Sequence, residues 1–366
     1  MNKNKKSGSF LGGFIILIIG IVILWNNEGR VVKMQNAINE ALDSYVDVSS
    51  KKISSKYEGK LIATTGKINI SESTKVKDSK FGISVNASKL QRNVEMFQWV
   101  EDCEEDENET KSCTYEKEWS DKLIDSKDFD KPGYNNPTSM SYENSEFITS
   151  DDVKVGAYVL PERLLEDLSY NKELNYEALS EQYDNKVEGY VLNEKYITNS
   201  KDIENPEIGD IRISYKYAGN GEVSIMGVQR DDTITAFTAK KGKSIFVIKR
   251  GGYTGREILI SKTDSNNASK WLHRIFGLIL VIGGIASLFN PLQSLTSKIP
   301  VIGNIVNFST SLFSGVIGTA ISLIVIAIAW FRFRPILSIS LLVIVVILVI
   351  FLKYKNIKLP TKKEKK

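Results

Sequence analysis

Four apolar stretches at the two ends of the chain constrain its fold more than any other feature. They are residues 10–25, 271–289, 312–331 and 336–352 of the 366-residue sequence. A helix of about 20 apolar residues matches the hydrocarbon thickness of a bilayer. Buried helices of a soluble protein are the alternative, but three such stretches close together favour membrane spans. The sequence therefore predicts a multi-pass α-helical membrane protein with four transmembrane helices, one N-terminal and three C-terminal.

The first stretch could also be the apolar part of a signal peptide, because three lysines precede it. A cleaved signal carries small residues around its cleavage site. Here the stretch ends in Trp25 followed by two asparagines. This ending favours an uncleaved membrane anchor.

Lysines at both ends of the chain predict the orientation of the spans. Residues 1–9 carry three lysines and residues 353–366 carry seven. Basic flanks stay on the cytosolic side of a membrane, and four spans place both ends on one side. We expect two cytosolic tails and an extracytoplasmic or lumenal position for residues 26–270. Arg332 and Arg334, between the last two spans, oppose this orientation but are outnumbered.

Residues 290–311, between the second and third spans, carry apolar side chains at spacings of three and four, interrupted at Pro300 and Gly303. This pattern is typical of a helix in the membrane interface or of a re-entrant segment. Packing against the spans explains the pattern equally well, so both alternatives stay open.

Residues 26–270 carry a net charge of −9 and form the polar part of the chain. An acidic domain repels phosphate backbones, which argues against a nucleic-acid partner. A helix with one apolar face leaves the membrane, and short alternating runs that predict strands follow it. The sequence thus predicts a large strand-rich α+β domain. The apolar face comprises Val31, Met34, Ile38, Leu42 and Tyr45, and the runs are Lys60–Ile70, Phe81–Val85, Gly209–Tyr217, Glu222–Gln229 and Ser244–Lys249.

The only two cysteines, Cys103 and Cys113, bracket an acidic loop with alternating residues on both sides. Paired strands would bring them opposite each other, and a disulfide would then staple a hairpin. Two free thiols are the alternative. The loop lacks the spacing and glycine of an EF-hand, so we expect no metal site there. The neighbouring pairs would be Phe97 with Trp119 and Glu101 with Tyr115.

His273 is the only histidine in the sequence. A Ser-His-Asp relay, a Cys-His pair and a multi-histidine metal site all need more than this residue at a membrane boundary provides. The P-loop and dinucleotide-binding patterns are absent as well. We therefore expect no catalytic residue, no cofactor and no enzyme activity.

Several segments of the sequence, in conserved order, resemble the LUMA (transmembrane protein 43) family. Trp25-Asn26-Asn27-Glu28-Gly29-Arg30 resembles the WNEGR signature of that family, with one additional asparagine. The other similar segments are Leu90–Val100, Ser126–Asp130, Asn136-Pro137, Gly209–Tyr215, Lys240–Gly242, Pro300-Val301 and Arg334-Pro335.

The resemblance implies one N-terminal span, a large lumenal domain and three clustered spans. It also implies a scaffold that organises membrane-protein complexes and associates with itself. In a eukaryote the implied location is the endoplasmic reticulum and inner nuclear envelope; in a bacterium it is the plasma membrane. The cysteine-stapled acidic hairpin is not a feature associated with the family generally.

Charged and aromatic residues at the ends of the spans are the candidate site residues. In the family motif Trp25, Asn27, Glu28, Gly29 and Arg30, the charges could bind a head group or a partner. The alternative is a helix exit in which Gly29 permits a turn, Arg30 snorkels and Glu28 pairs with it. The predicted interface anchors are Trp271, Arg332, Arg334 and Pro335.

Taken together, these features favour a non-enzymatic membrane scaffold whose partners are the lipid bilayer, other membrane proteins and further copies of itself. An oligomeric channel or transporter is the alternative, although the spans offer only small polar residues for a pathway. A lipid-acting membrane enzyme is the third hypothesis. No spacing of acidic residues singles out a catalytic pair for it.

Overall fold

A computed structural model describes residues 4–105, 111–149, 151–183, 187–240, 242–296 and 300–340, together with 343, 347 and 350. The chain divides into two compact units. The helical unit comprises Met1–Asp43, Thr238–Ser244 and Leu259–Lys366, and the strand unit comprises Ser44–Phe237 and Ile245–Ile258.

The described residues include three long helices and two short ones. The helices are α1 (Asn4–Ser44), α2 (Glu162–Leu165), α3 (Tyr176–Ser180), α4 (Gly255–Thr296) and α5 (Pro300–Phe333). With a rise of about 1.5 Å per residue, α1 and α4 are each about 60 Å long, roughly twice the hydrocarbon thickness. The domain boundaries predicted at residues 26 and 270 therefore fall inside continuous helices.

Three helical segments of the described chain are long and apolar enough to cross a membrane. They are Leu11–Ser44, Gly255–Phe289 and Ser314–Phe333. The predicted fourth span, 336–352, begins with a helical segment at residues 335–340, and most of its remainder lies outside the described residues. The described residues thus support a membrane protein with three candidate spans.

The predicted interfacial segment, residues 290–311, is divided between two helices. α4 continues to Thr296, and α5 begins at Pro300. Proline suits the first position of a helix because the backbone N–H that it lacks would have no helical partner there. The side chains of 290–296 and 300–311 lie outside the described residues, so the interfacial location stays a prediction.

Glycines bring α1 and α4 together as antiparallel helices in the helical unit. A Cβ added to Gly20 would lie 2.9 Å from the backbone nitrogen of Val281. A Cβ added to Gly284 would lie 2.6 Å from the backbone nitrogen of Leu17. Small residues let the backbones of membrane helices approach closely, which increases their van der Waals contact. Gly13 and Gly277 have similarly close neighbours on the opposite helix.

The described strands form two large sheets and two two-stranded ribbons. In chain order the strands are β1 (Val46–Ser49), β2 (Leu61–Ile70), β3 (Val76–Asp78), β4 (Ile83–Val85), β5 (Lys89–Glu105), β6 (Lys111–Ser120), β7 (Ser145–Ile148), β8 (Val153–Val155), β9 (Tyr158–Val159), β10 (Lys172–Glu173), β11 (Val191–Asn193), β12 (Tyr196–Thr198), β13 (Ile211–Ala218), β14 (Gly221–Arg230), β15 (Thr233–Thr235), β16 (Phe237–Thr238), β17 (Ser244–Ile245) and β18 (Val247–Arg250). Each strand run predicted from the sequence overlaps at least one of these strands.

The first sheet has the order β1-β2-β8-β9-β15-β14-β18, and β14 also pairs with β2. This second pairing closes a ring of five strands. β14 and β2 are antiparallel over eight paired positions, from Gly221 with Ile68 to Val228 with Leu61. Closure removes exposed strand edges from the ring. The buried side chains of this sheet include Ile62, Tyr158 and Ile225.

The second sheet has the order β11-β12-β13-β5-β6, with β10 beside β13 and β7 beside β5. Its core contains a buried ion pair, in which Arg92 Nη1 lies 2.6 Å from Asp78 Oδ2. The hydroxyl of Tyr215 donates to the same oxygen at 2.9 Å. Burial and the neighbouring Asp78 carboxylate raise the pKa of Tyr215 above its usual range, so this tyrosine stays a hydrogen-bond donor.

The β5–β6 hairpin has the predicted register, with Cys103 opposite Cys113, Phe97 opposite Trp119 and Glu101 opposite Tyr115. Cys103 and Cys113 form a disulfide with Cα atoms 4.0 Å apart. Tyr115 donates to Glu101 Oε1 at 2.6 Å. Burial and this bond to a carboxylate raise the pKa of Tyr115 to about 12.

The glycine contacts predict that Gly284→Leu destabilises the helical unit, whereas Gly283→Leu does not. A leucine at 284 would strike the backbone of α1, and overpacking of this kind costs about 1–3 kcal/mol. A Cβ on the adjacent Gly283 has no neighbour within 4 Å, which makes it a matched control. Thermal unfolding of both variants in detergent measures the difference. Equal midpoints would contradict the close packing of α1 against α4.

Candidate functional site

Polar side chains are buried where the apolar stretch of α1 ends. Asn27 is 2% exposed and Glu28 is 0% exposed, although both directly follow a membrane span in the sequence. Charged residues are almost never fully buried unless they are paired. The side chains that enclose them come from all three long helices. We define this boundary cluster as Asn27, Glu28 and Arg30 of α1, Asn266, Lys270 and Arg274 of α4, and Trp330 of α5.

The carboxylate of Glu28 is the centre of the boundary cluster. Its Oε1 accepts a hydrogen bond from Arg274 Nε at 2.7 Å, and Arg274 Nη2 lies 2.7 Å from the same oxygen. Its Oε2 accepts from the indole Nε1 of Trp330 at 3.0 Å. Both carboxylate oxygens therefore have partners inside the helical unit. Charge-assisted bonds of this kind are the stronger hydrogen bonds of proteins.

A second layer of hydrogen bonds joins α1 to α4 next to Glu28. Asn27 Nδ2 donates to the backbone oxygen of Lys270 at 3.0 Å, and Asn27 Oδ1 accepts from Arg30 Nη2 at 2.9 Å. Arg30 Nη1 donates to Asn266 Oδ1 at 3.3 Å. Asn266 Nδ2 in turn donates to the backbone oxygen of Val31 at 3.2 Å. The bonds run in both directions and fix the register of the two helices.

The remaining motif residues contact α5. Trp25 and Phe333 form an edge-to-face pair with centroids 5.7 Å apart. A Cβ on Gly29 would lie 2.8 Å from the ring of Phe333. Gly29 therefore leaves room for the aromatic ring of Phe333. It does not form the expected turn at the end of a helix, because α1 continues through it. Asn26, the asparagine additional to the family signature, is exposed.

Lys240 and Gly242, which belong to another segment that resembles the family, lie against α1 in the helical unit. A Cβ on Gly242 would be 2.7 Å from the backbone oxygen of Lys33 and 2.8 Å from Ala37. The backbone N–H of Lys240 donates to Glu40 Oε2 at 3.0 Å. The close approach explains why a glycine occupies position 242.

The predicted pairing of Glu28 with Arg30 is wrong, because Glu28 pairs with Arg274 and Arg30 bonds to Asn27 and Asn266. Sequence reasoning missed the α4 partners and Trp330. A signal for them existed, since Asn266, Lys270 and Arg274 recur at a spacing of four. That spacing places them on one face of a helix.

The predicted interface anchors are solvent- or lipid-accessible to different degrees. Trp271 is 57% exposed, and the guanidinium of Arg274 lies 5.0 Å from its ring centroid. Arg332 is exposed and Arg334 is half-buried. Pro335 begins the helical segment 335–340, after the non-helical Arg334. Their role as membrane anchors stays a prediction.

Among the described side chains, Glu101, Cys103 and Cys113 form a group of potential metal ligands. Both sulfurs belong to the disulfide, so one carboxylate is left as a hard ligand. A cation site needs several oxygen ligands. In the boundary cluster, the groups bonded to the Glu28 carboxylate are the guanidinium of Arg274 and the indole N–H of Trp330. The chemistry of the cluster is that of a structural lock between three helices.

Comparison with known proteins gives a consistent result over most of the chain. The profile of the family described as transmembrane protein 43 matches residues 96–335. Human transmembrane protein 43 is 28% identical over 351 residues, which cover 91% of this chain and 86% of the relative. The Drosophila melanogaster homologue is 26% identical over 351 residues, covering 91% and 90%. These names state no enzyme activity, and no solved structure matches the chain significantly.

The lock predicts that Glu28→Gln destabilises the helical unit by about 3–5 kcal/mol, because Arg274 then keeps its charge in a buried site without a counter-ion. Asp264→Asn, on an exposed part of α4, is the matched control and should leave stability unchanged. Chemical unfolding in detergent measures both. In the double variant Glu28→Met with Arg274→Met, the loss should be smaller than the sum of the single losses. Additive losses would show that the pair is not coupled.

Proposed function

Because this chain belongs to the transmembrane protein 43 family, we propose that it is a non-enzymatic scaffold that organises membrane-protein complexes and associates with itself. The boundary cluster is the observation that carries this proposal. An ionisable residue at membrane depth marks a transport pathway or a reaction site when its charge is available. Here both oxygens of Glu28 are bonded to Arg274 and Trp330. A cluster that holds three helices in one arrangement suits a protein that functions by presenting fixed binding surfaces.

A four-span topology with cytosolic ends is part of the proposal. α1 and α4 are antiparallel, as the contacts of Gly20 with Val281 and Gly284 with Leu17 require. Chains that cross a membrane repeatedly alternate in direction. The basic tails favour the cytosol, and the Cys103–Cys113 disulfide suits an oxidising compartment for the strand unit. In a eukaryote this compartment is the lumen of the endoplasmic reticulum and nuclear envelope; in a bacterium it is the cell exterior.

Thiol labelling of intact cells that carry the chain in their plasma membrane, so that the extracytoplasmic side faces the reagent, tests the topology. An impermeant maleimide should label Cys103 and Cys113 only after reduction from the outside. A Ser9→Cys variant in a C103S/C113S background should become labelled only when the membrane is permeabilised. The double serine variant provides the cysteine-free baseline, since the chain has two cysteines. Labelling of Cys103 from the cytosolic side would overturn the proposed orientation.

Affinity capture at native expression tests the scaffold role. We expect the tagged full chain to retain a reproducible set of membrane proteins, together with untagged copies of itself. The Gly283→Leu variant should retain the same set, and Gly284→Leu, which disturbs the helix packing, should lose part of it. Capture of no partner by any of these proteins would contradict the proposal. Ion flux through liposomes that contain only the purified chain would favour a channel instead.

A further inference from the structure

An apolar groove runs between α4 and α5 within the helical unit. It encloses about 420 Å³ and is lined by aliphatic side chains that include Ile275, Leu278, Leu323 and Ile326. Ile275 is 56% exposed and Leu323 is 60% exposed, so the walls open towards the hydrocarbon of the bilayer. A volume of this size is in the range of ligand pockets in proteins.

One end of the groove carries aromatic and cationic groups. Trp271 and Trp330 line it, and the guanidinium of Arg274 lies 5.0 Å from the ring centroid of Trp271 and 5.9 Å from that of Trp330. Lys270 Nζ is 5.7 Å from the ring centroid of Trp271. Tryptophans of this kind mark the level of the lipid head groups.

The charges at this end are unbalanced. Lys270 Nζ donates to the neutral side-chain oxygen of Asn267 at 3.0 Å. The charges of Arg274 and Arg334 repel it, and that of Glu28 attracts it. The carboxylate of Glu28 is already bonded to Arg274 and Trp330. Among these groups, the three cations Lys270, Arg274 and Arg334 therefore share one anion, Glu28, which pairs with Arg274. The site therefore carries an excess of positive charge, which an anionic ligand would balance.

We propose that this groove is a binding site for an anionic phospholipid. One acyl chain lies between α4 and α5, and the phosphate lies beside Lys270, Arg274 and Arg334. The apolar walls match the chain, and the cations match the phosphate. Basic side chains near a membrane surface attract anionic lipids in this way. The site does not depend on the scaffold role, because it rests on groove shape and charge alone.

Native mass spectrometry of the purified full chain tests the acyl-chain part of the site. Dioleoylphosphatidylglycerol and dioleoylphosphatidylcholine are titrated separately. We expect one phosphatidylglycerol molecule to bind with a lower dissociation constant than phosphatidylcholine. Ala327→Trp, which fills the groove, should weaken this binding by at least about tenfold. Ala320→Trp is the matched control, because Ala320 is an exposed alanine of α5 that does not line the groove, and it should bind like the native chain.

The head-group part of the site is tested by Lys270→Gln, which should weaken phosphatidylglycerol binding by about fivefold and leave phosphatidylcholine unchanged. Lys262→Gln, two turns away on α4, is its control and should have no effect. Equal binding of the two lipids by the native chain would overturn the proposal. So would undiminished binding by Ala327→Trp, or a dimer of the chain that forms through this groove and excludes lipid.

Discussion

The buried carboxylate of Glu28 is the constraint on which the arrangement of the membrane helices depends. A charge with no exposure is costly unless hydrogen bonds and an opposite charge replace its water. Arg274 and Trp330 supply both, from two different helices. Rotation of either helix by a residue would leave the carboxylate buried without a partner. The cluster therefore selects one register of α1, α4 and α5 from the many that apolar surfaces alone would permit.

The glycines of α1 and α4 make the same register favourable by a different interaction. Lipid tails are as apolar as leucine, so membrane helices associate through close packing and hydrogen bonds rather than through a hydrophobic effect. Gly20 and Gly284 allow backbone approach in the apolar part of the helices, where polar groups would be costly. Asn27 and Asn266 supply hydrogen bonds where the apolar stretch ends. Packing and polar contacts thus occupy successive levels of one interface.

The sequence predicted the features that depend on local pattern. Charge-free stretches predicted the three candidate spans that the described residues support. Alternation around Cys103 and Cys113 predicted the hairpin register. Each of these patterns depends on residues close together in the chain. The partner of Glu28 was out of reach for the same reason, since 246 residues separate it from Arg274. Arg30, two residues away, looked like the natural partner. Neighbours at that spacing point to different sides of a helix. The sequence could not predict the closed ring of five strands either, because the ring requires β2 to pair with β14, which is distant in the chain.

The two units solve the problem of a buried acid in the same way. In the strand unit one oxygen of Asp78 accepts from Arg92 and from the aromatic hydroxyl of Tyr215. In the helical unit Glu28 accepts from Arg274 and from the indole of Trp330. Buried pairs of this type contribute little net stability, yet breaking one is strongly destabilising. They therefore act against alternative packings of the helices and of the strands.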